Sequence, residues 1–322
     1  MTQAGILAVM SRVIHTAQAL VDVVVEVDAL PVRGGNAVAT SYRRYAGGAV
    51  NILLAAARSG ATAVLAGSVG TGPNGDLVRA ALAAEGVAVS SPPVPGLDTG
   101  ICVVMVEPSA ERTFVTTQGA ERQISAASLQ TSTPEVGDLV CVSGFSLAGR
   151  TCDPLLDWLD RLVGGVVVVL DPGAGFGGLD AAVRERMLGR TDLWTSNADE
   201  ATAVTGLADP AESIAGVAAL LSDNAVVVVR DGPKGCHVRE AGHTAYLPGF
   251  PQEPVDTNGA GDCHTGVLVA ERAAGTDWVA AARRANATGA IKVTRRGPAT
   301  APTAAEIDAF LATRGEAVSP GG

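Results

Sequence analysis

The sequence predicts a doubly wound α/β sandwich that carries a small second sheet. From about Gly60 onward, short β-branched runs alternate with stretches of helical composition, the rhythm of a largely parallel sheet wrapped by helices. The runs are apolar throughout, as strands buried on both faces are. Before that point the segment Asp22–Asp28 instead alternates, which marks a strand with one polar face.

In chain order, Asp22–Asp28 puts Val23, Val25 and Val27 on one face and Asp22, Glu26 and Asp28 on the other. With Ala37–Tyr45, Gly100–Glu107 and Arg112–Gln118 it makes up the small sheet, the last two strands being joined by the turn Pro108-Ser109-Ala110-Glu111. Ile101, Val103 and Met105 give this sheet a second apolar row. A half-polar sheet needs a cover, and a twin from a second chain supplies one, so a homodimer through this sheet is expected. The rival is a sheet folded down on its own domain. The main sheet takes Ala63–Gly67, Leu139–Ser143, Val166–Asp171, Leu193–Ser196 and Ala225–Arg230. Helices include Asp76–Glu85, stopped by Gly86, and Pro154–Val163, where Leu155, Leu159 and Leu162 recur at helical spacing. Residues 1–314 read as one domain and 315–322 as a disordered tail.

Composition narrows the function. Of 322 residues, 47% are hydrophobic but only 3% aromatic, so the core must be built of Ala, Val and Leu. A net charge of −10 with no basic stripe argues against nucleic acid as a partner. The five cysteines show no Cys-x-x-Cys spacing, which argues against zinc and a disulfide framework. Cys102 and Cys141 fall in core-like runs, and Cys263 borders the motif described next. Apolar runs such as Val166–Leu170 are too short to span a membrane, and a cytoplasmic protein is expected.

Residues 256–262 read Asp-Thr-Asn-Gly-Ala-Gly-Asp, between an extended segment (Pro248–Val255) and a helical run (Cys263–Ala274). Gly259, Ala260 and Gly261 therefore open a helix, where unpaired amides and the positive end of the helix dipole bind anions. Asp262 in that same turn would repel a bound phosphate unless it takes a proton from a hydroxyl attacking it. Read without that ligand, Asp262 is an ordinary first-turn acid favoured by the dipole.

The heptapeptide resembles the C-terminal signature of the ribokinase (PfkB) family of carbohydrate kinases. Tyr45-Ala46-Gly47-Gly48-Ala49-Val50-Asn51, followed by Arg58-Ser59-Gly60-Ala61 and Gly67-Ser68-Val69-Gly70, is similar to its N-terminal signature. The resemblance runs from about Val9 to about Leu311. It implies the ribokinase-like three-layer α/β/α sandwich with a β-sheet lid over the sugar, and phosphorylation of a primary hydroxyl of a small sugar or nucleoside by ATP with Mg²⁺. It implies catalytic roles for Asp262, Gly259, Ala260 and Gly261, and sugar contacts from Asp22, Gly47, Gly48 and Asn51. Asn51 alternatively caps its helix. On the nucleotide side the resemblance implies Asn197, Glu200, Arg230, Gly232, Gly235 and Asn286, with Glu200 reaching Mg²⁺ through water. Asn197 and Glu200 also fit a capping box, and Asn286 a polar position on a helix surface. A K⁺ site at Asp256 and Asn258, completed by carbonyls of residues 294–300, is implied as well.

The chain departs from the family pattern in places. Only Ala49 and Val50 stand between the paired glycines and Asn51, where many members have one more residue, sometimes a lysine facing the substrate. That missing lysine disfavours an already phosphorylated acceptor. Leu53 and Val267 replace small residues. Ribose, a ribonucleoside, fructose and 2-keto-3-deoxygluconate all remain open as acceptors. An oxidoreductase is disfavoured because no Gly-x-Gly-x-x-Gly follows the first strand. A non-catalytic sugar-binding regulator would be expected to lack Asp262.

Overall fold

The computed structural model describes residues 11–109 and 111–314. The strands are β1 (Arg12–His15), β2 (Ala19–Val27), β3 (Ala39–Gly48), β4 (Thr62–Leu65), β5 (Ala88–Val89), β6 (Ile101–Val106), β7 (Arg112–Thr116), β8 (Leu139–Ser143), β9 (Val167–Asp171), β10 (Leu193–Asn197), β11 (Val226–Arg230), β12 (Gly235–Glu240) and β13 (His243–Pro248). The helices are α1 (Ala49–Arg58), α2 (Pro73–Ala84), α3 (Ala126–Gln130), α4 (Cys152–Leu159), α5 (Ala181–Leu188), α6 (Ala198–Thr205), α7 (Pro210–Ala218), α8 (Ala260–Ala273), α9 (Trp278–Val293) and α10 (Ala304–Ala312).

Nine strands form the main sheet in the order β13-β12-β11-β10-β9-β8-β1-β4-β5. It is parallel from β11 to β5, and β12 and β13 are added antiparallel at one edge. Strand alternation divides the side chains between two cores. Val13, Leu139, Cys141, Val226 and Val228 face α1, α8, α9 and α10, whereas Ile14, Val140, Val142, Val227 and Val229 face α4, α5, α6 and α7. Alanine makes the first interface possible. Ala55 and Ala56 of α1 lie close against Gly266 of α8, where a Cβ would strike the Ile52 carbonyl and the Ala55 methyl. This close crossing holds the N-terminus of α8 beside α1.

The small sheet, β3-β2-β6-β7, stands apart as expected. Its details correct the sequence reading. Asp22 is the fourth residue of β2 and does not begin it, and Asp28 lies beyond the strand. A register shift between Glu26 and Val27 ends the alternation. Val23 and Ile101 pack on the main core and Val27 is 6% exposed, so part of the apolar face is covered by the chain's own domain. Three further elements escaped the periodicity. β1 is only four residues long yet sits inside the main sheet, the β12–β13 hairpin is half exposed, and β5 is two residues long; of the segment 248–255, Pro248 ends β13 and the rest joins no sheet. The expected tail 315–322 lies outside the described residues. No helix among the described residues is long and apolar enough to cross a membrane, and all five cysteines are buried and unpaired.

Candidate active site

A strand-to-helix corner starts the site. Gly48 ends β3 and precedes α1 with φ of 64°, and a Cβ there would collide with the Gln18 carbonyl. Its neighbour Gly47 lies against the Asp22 carboxylate, in space that a Cβ would fill. The turn places Asn51 third in α1, so it does not cap the helix. It is 3% exposed, and its Nδ2 donates to Asp262 Oδ2 at 2.9 Å. Among the described residues Asn51 Oδ1 is buried without a partner.

Asp262 stands in the first turn of α8, which Gly259 opens with φ of 75°. The Ala260 amide turns back to the Thr257 carbonyl at 3.2 Å, leaving Gly261 and Asp262 as the first-turn residues without an intrahelical acceptor for their N–H groups. Burial pushes the Asp262 carboxyl up to about 6, against the Asn51 hydrogen bond and the charges of Arg230 and Lys292. Burial, and then the charge of Asp262, push Asp22 up to about 7. Two carboxylates from distant segments thus share one electrostatic environment.

On the other side of the turn, Arg230 at the end of β11 donates through Nη1 to Thr195 Oγ1 and Thr265 Oγ1, each at 2.9 Å. Its Nη2 lies 3.7 Å from Asp171 and 3.8 Å from Glu200, and the guanidinium runs beside Gly261. Asn197 and Glu200 form a reciprocal capping box. Asn197 Oδ1 accepts from the Glu200 amide at 2.8 Å, and Glu200 Oε2 accepts from the Asn197 amide at 2.9 Å. Burial, then the charge of Asp171, raise the Glu200 carboxyl above its ordinary value. Gly232 and Gly235 have φ of 54° and 120°. Asn286 is 8% exposed rather than on the surface. Its Nδ2 donates to the carbonyls of Leu247 and Pro248, and its Oδ1 faces His264 Nε2 at 3.1 Å. Burial drives the His264 ring down to about 3 and the Cys263 thiol up to about 12, so at neutral pH one is an uncharged packing group and the other an unreactive thiol.

Two clefts meet at the turn. One of about 440 Å³ is lined by Asn197, Arg230, Gly232, Gly261, His264 and Asn286, and closed by Phe250 and Val293. The other, about 160 Å³, lies under the small sheet between Val24, Tyr45 and residues 254–258. Thr257 lines both. Arg112 Nη2 donates to Thr257 Oγ1 at 3.0 Å, and the Tyr45 ring rests on Gly297. Asp256 accepts from the amides of Asn258 and Gly297, both at 2.8 Å.

The sequence reading missed Asp171, Arg112 and Lys292. Asp171 carried a signal, since it ends an apolar run at the carboxyl edge of a parallel sheet, where such folds bind ligands. Arg112 carried none.

Residues 10–305 match the family model for the pfkB family carbohydrate kinase. The chain belongs to the pfkB family of carbohydrate kinases. The kinase is 31% identical over 292 residues to the uncharacterized sugar kinase YegV of Escherichia coli K12, covering 90% of each chain. It is 29% identical over 312 residues to an ATP-dependent ribose-1-phosphate kinase of Halopiger xanaduensis, covering 95% of this chain and 99% of that one. The crystal structure of a putative ribokinase II from E. coli superposes with a TM-score of 0.80 at 25% identity, over 94% of this chain and all of that one. The three-layer sandwich with its smaller sheet is the ribokinase fold.

Proposed function

We propose that the kinase transfers the γ-phosphoryl group of ATP to a primary hydroxyl of a small sugar or nucleoside. The observation that carries this reading is the position of the Thr257–Gly261 turn between two clefts, with Asp262 behind it. The larger cleft suits a nucleotide, having apolar walls at one end and Arg230 and Asn197 at the other. The smaller one lies under the lid beside the turn, and the acceptor side is assigned to the adjoining Asp22, Gly47, Asn51 and Asp262, which do not line that cleft themselves. Asp262 accepts the acceptor's proton, the first turn of α8 receives the transferring phosphoryl, and Arg230 balances its charge. Asp22 and the unpartnered Asn51 Oδ1 take acceptor hydroxyls, at a backbone made accessible by Gly47 and Gly48.

The carboxylates of Glu200 and Asp171 fit a hydrated Mg²⁺: burial and then the charge of Asp171 raise the Glu200 carboxyl, and a cation between them would favour both ionised forms. No group of three such ligands is assembled among the described residues, which accords with an ion that arrives on the nucleotide phosphates. When bound, Mg²⁺ neutralises phosphate charge.

The test is acceptor-dependent ADP release, measured with ATP against ribose, fructose, ribonucleosides and 2-keto-3-deoxygluconate. Folded protein that releases no ADP with any acceptor would favour the non-catalytic regulator. A second reading, a phosphorylated acceptor, is favoured by Arg43, Arg112 and Arg296 lining the smaller cleft. Ribose 1-phosphate therefore belongs in the panel.

The two raised carboxyls set a pH dependence. Burial favours their protonated forms, so the ionised forms that work are present at high pH and lost as pH falls. Turnover should decline as pH drops through about 6, and kcat/KM for the acceptor should begin to decline nearer 7, where Asp22 is protonated. Rates that stay flat between about pH 5 and 8 would contradict both roles.

We propose further that the lid's outer face joins two copies. Val25, Val103 and Met105 are half-buried there, beside Tyr42 at 63% and Val115 at 55% exposure. Light scattering should give twice the 32.3 kDa chain mass. Particles of the single-chain mass, with and without acceptor, would refute the dimer and leave the kinase reading intact.

A further inference from the structure

The K⁺ site implied by the family resemblance lies between the Asp256–Asn258 turn and residues 294–300, and the residues there do not fit such an ion. Lys292, near the end of α9, is 0% exposed. Its Nζ donates to the Asp256 carbonyl at 2.9 Å and to the Arg295 carbonyl at 3.3 Å, one acceptor from each of the two segments. Both carboxylate oxygens of Asp256 are engaged by backbone amides. Any monovalent cation would meet an ammonium group already bonded to the oxygens it requires.

The segments that Lys292 joins are also fastened to each other through the backbone. The amides of Val255 and Asp256 both donate to the Val293 carbonyl, at 2.7 and 3.0 Å, so the strand leading to the turn is fastened to the same end of α9. Burial, with the charge of Arg112, lowers the Lys292 pKa from the ordinary lysine value, and the charges of Asp256 and Asp262 oppose that shift. The choice of residue is also informative. The chain has 23 basic residues and only two, Lys234 and Lys292, are lysines; Lys234 is exposed. A compact ammonium with three donors can converge on carbonyl oxygens as a metal ion does, whereas a planar guanidinium spreads its donors into a fork.

We infer that Lys292 is a built-in counterpart of a monovalent cation, bridging the two segments and fixing the Thr257–Gly261 turn, so that this kinase works without K⁺. The effect on turnover rests on the proposed phosphoryl-binding role of that turn. Lys292 is a positioning residue, since it reaches the chemistry only through the backbone of the turn.

The experiment compares wild type and Lys292→Ala, at saturating ATP and acceptor, in buffers whose only monovalent cation is K⁺, NH₄⁺, Li⁺ or tetramethylammonium. Wild-type turnover should agree within about twofold across all four. Lys292→Ala should lose on the order of a hundredfold in the Li⁺ and tetramethylammonium buffers and recover at least about tenfold with K⁺ or NH₄⁺, ions small enough for the vacated space yet weakly enough hydrated to enter it. Melting temperature is read in parallel. K⁺ should raise that of Lys292→Ala and leave wild type unchanged. Wild type that requires K⁺, or whose melting temperature rises with it, overturns the inference even if the variant does not fold. So does a folded Lys292→Ala that ignores cation identity in both readouts. K⁺ that stabilises Lys292→Ala without changing its turnover would uphold the cation site and overturn the phosphoryl role of the turn.

Discussion

Asp262→Asn is expected to lower kcat by about a hundred- to ten-thousand-fold while acceptor affinity, measured by calorimetry, changes only a few fold. The substitution is isosteric, and the Asn51 amide can flip so that its Oδ1 accepts from the new Nδ2, so the crossing of α1 and α8 survives. Stability supplies an independent check. The folded protein holds the Asp262 proton up to about 6, above the usual carboxylate range, so folding favours the protonated form and stability falls as pH rises through that interval. A neutral amide removes this dependence. Asp262→Asn should therefore melt higher than wild type at about pH 8, with the gap closing near about pH 4. A variant that retains turnover near wild type would remove Asp262 from the chemistry. One that melts lower at both pH values would mean that the carboxylate serves the fold.

Much of the architecture was legible because the chain obeys two simple periods. Apolar runs gave β8 to its ends among the buried strands and β9, β10 and β11 to within a residue, since a strand covered on both faces is apolar over most of its length and turns polar near its carboxyl end. β1 was not legible. Four residues beginning with Arg12 are too short to show a period, and that arginine is held from afar by Asp138 at 2.5 Å. The same contrast runs through the site. Gly47 and Gly48 could be read from the family signature and Gly259–Asp262 because a carboxylate beside an anion site demands a reason; of the glycines, Gly48 and Gly259 have the positive φ that favours this residue. Asn197 and Glu200 could be read in two ways, and the capping box that they form satisfies the bland one without removing Asn197 from the cleft. Lys292 could not be read at all. A lysine one residue from the end of a helix looks like a solvated partner for the helix dipole, and only the fold turns it inward onto a carbonyl 36 residues away.

Asp22→Ala should raise the acceptor KM by at least about tenfold and leave the KM for ATP nearly unchanged, because a charge-assisted hydrogen bond to a buried hydroxyl contributes roughly 1.5–3 kcal/mol. Asp22 faces inward from β2 with its carboxylate against Gly47, on the lid side of the turn and away from the cleft that suits the nucleotide. That contact makes a second substitution informative. Gly47→Ala puts a methyl group where the carboxylate lies, and Asp22 must move, so Gly47→Ala alone should also weaken acceptor binding. If it acts only by displacing Asp22, adding it to Asp22→Ala should cost almost nothing more, since the group it pushes aside is already gone. Additive losses would assign Gly47 a separate role, direct approach of the acceptor to its backbone. A selective loss of ATP affinity in Asp22→Ala would instead remove Asp22 from the acceptor site altogether.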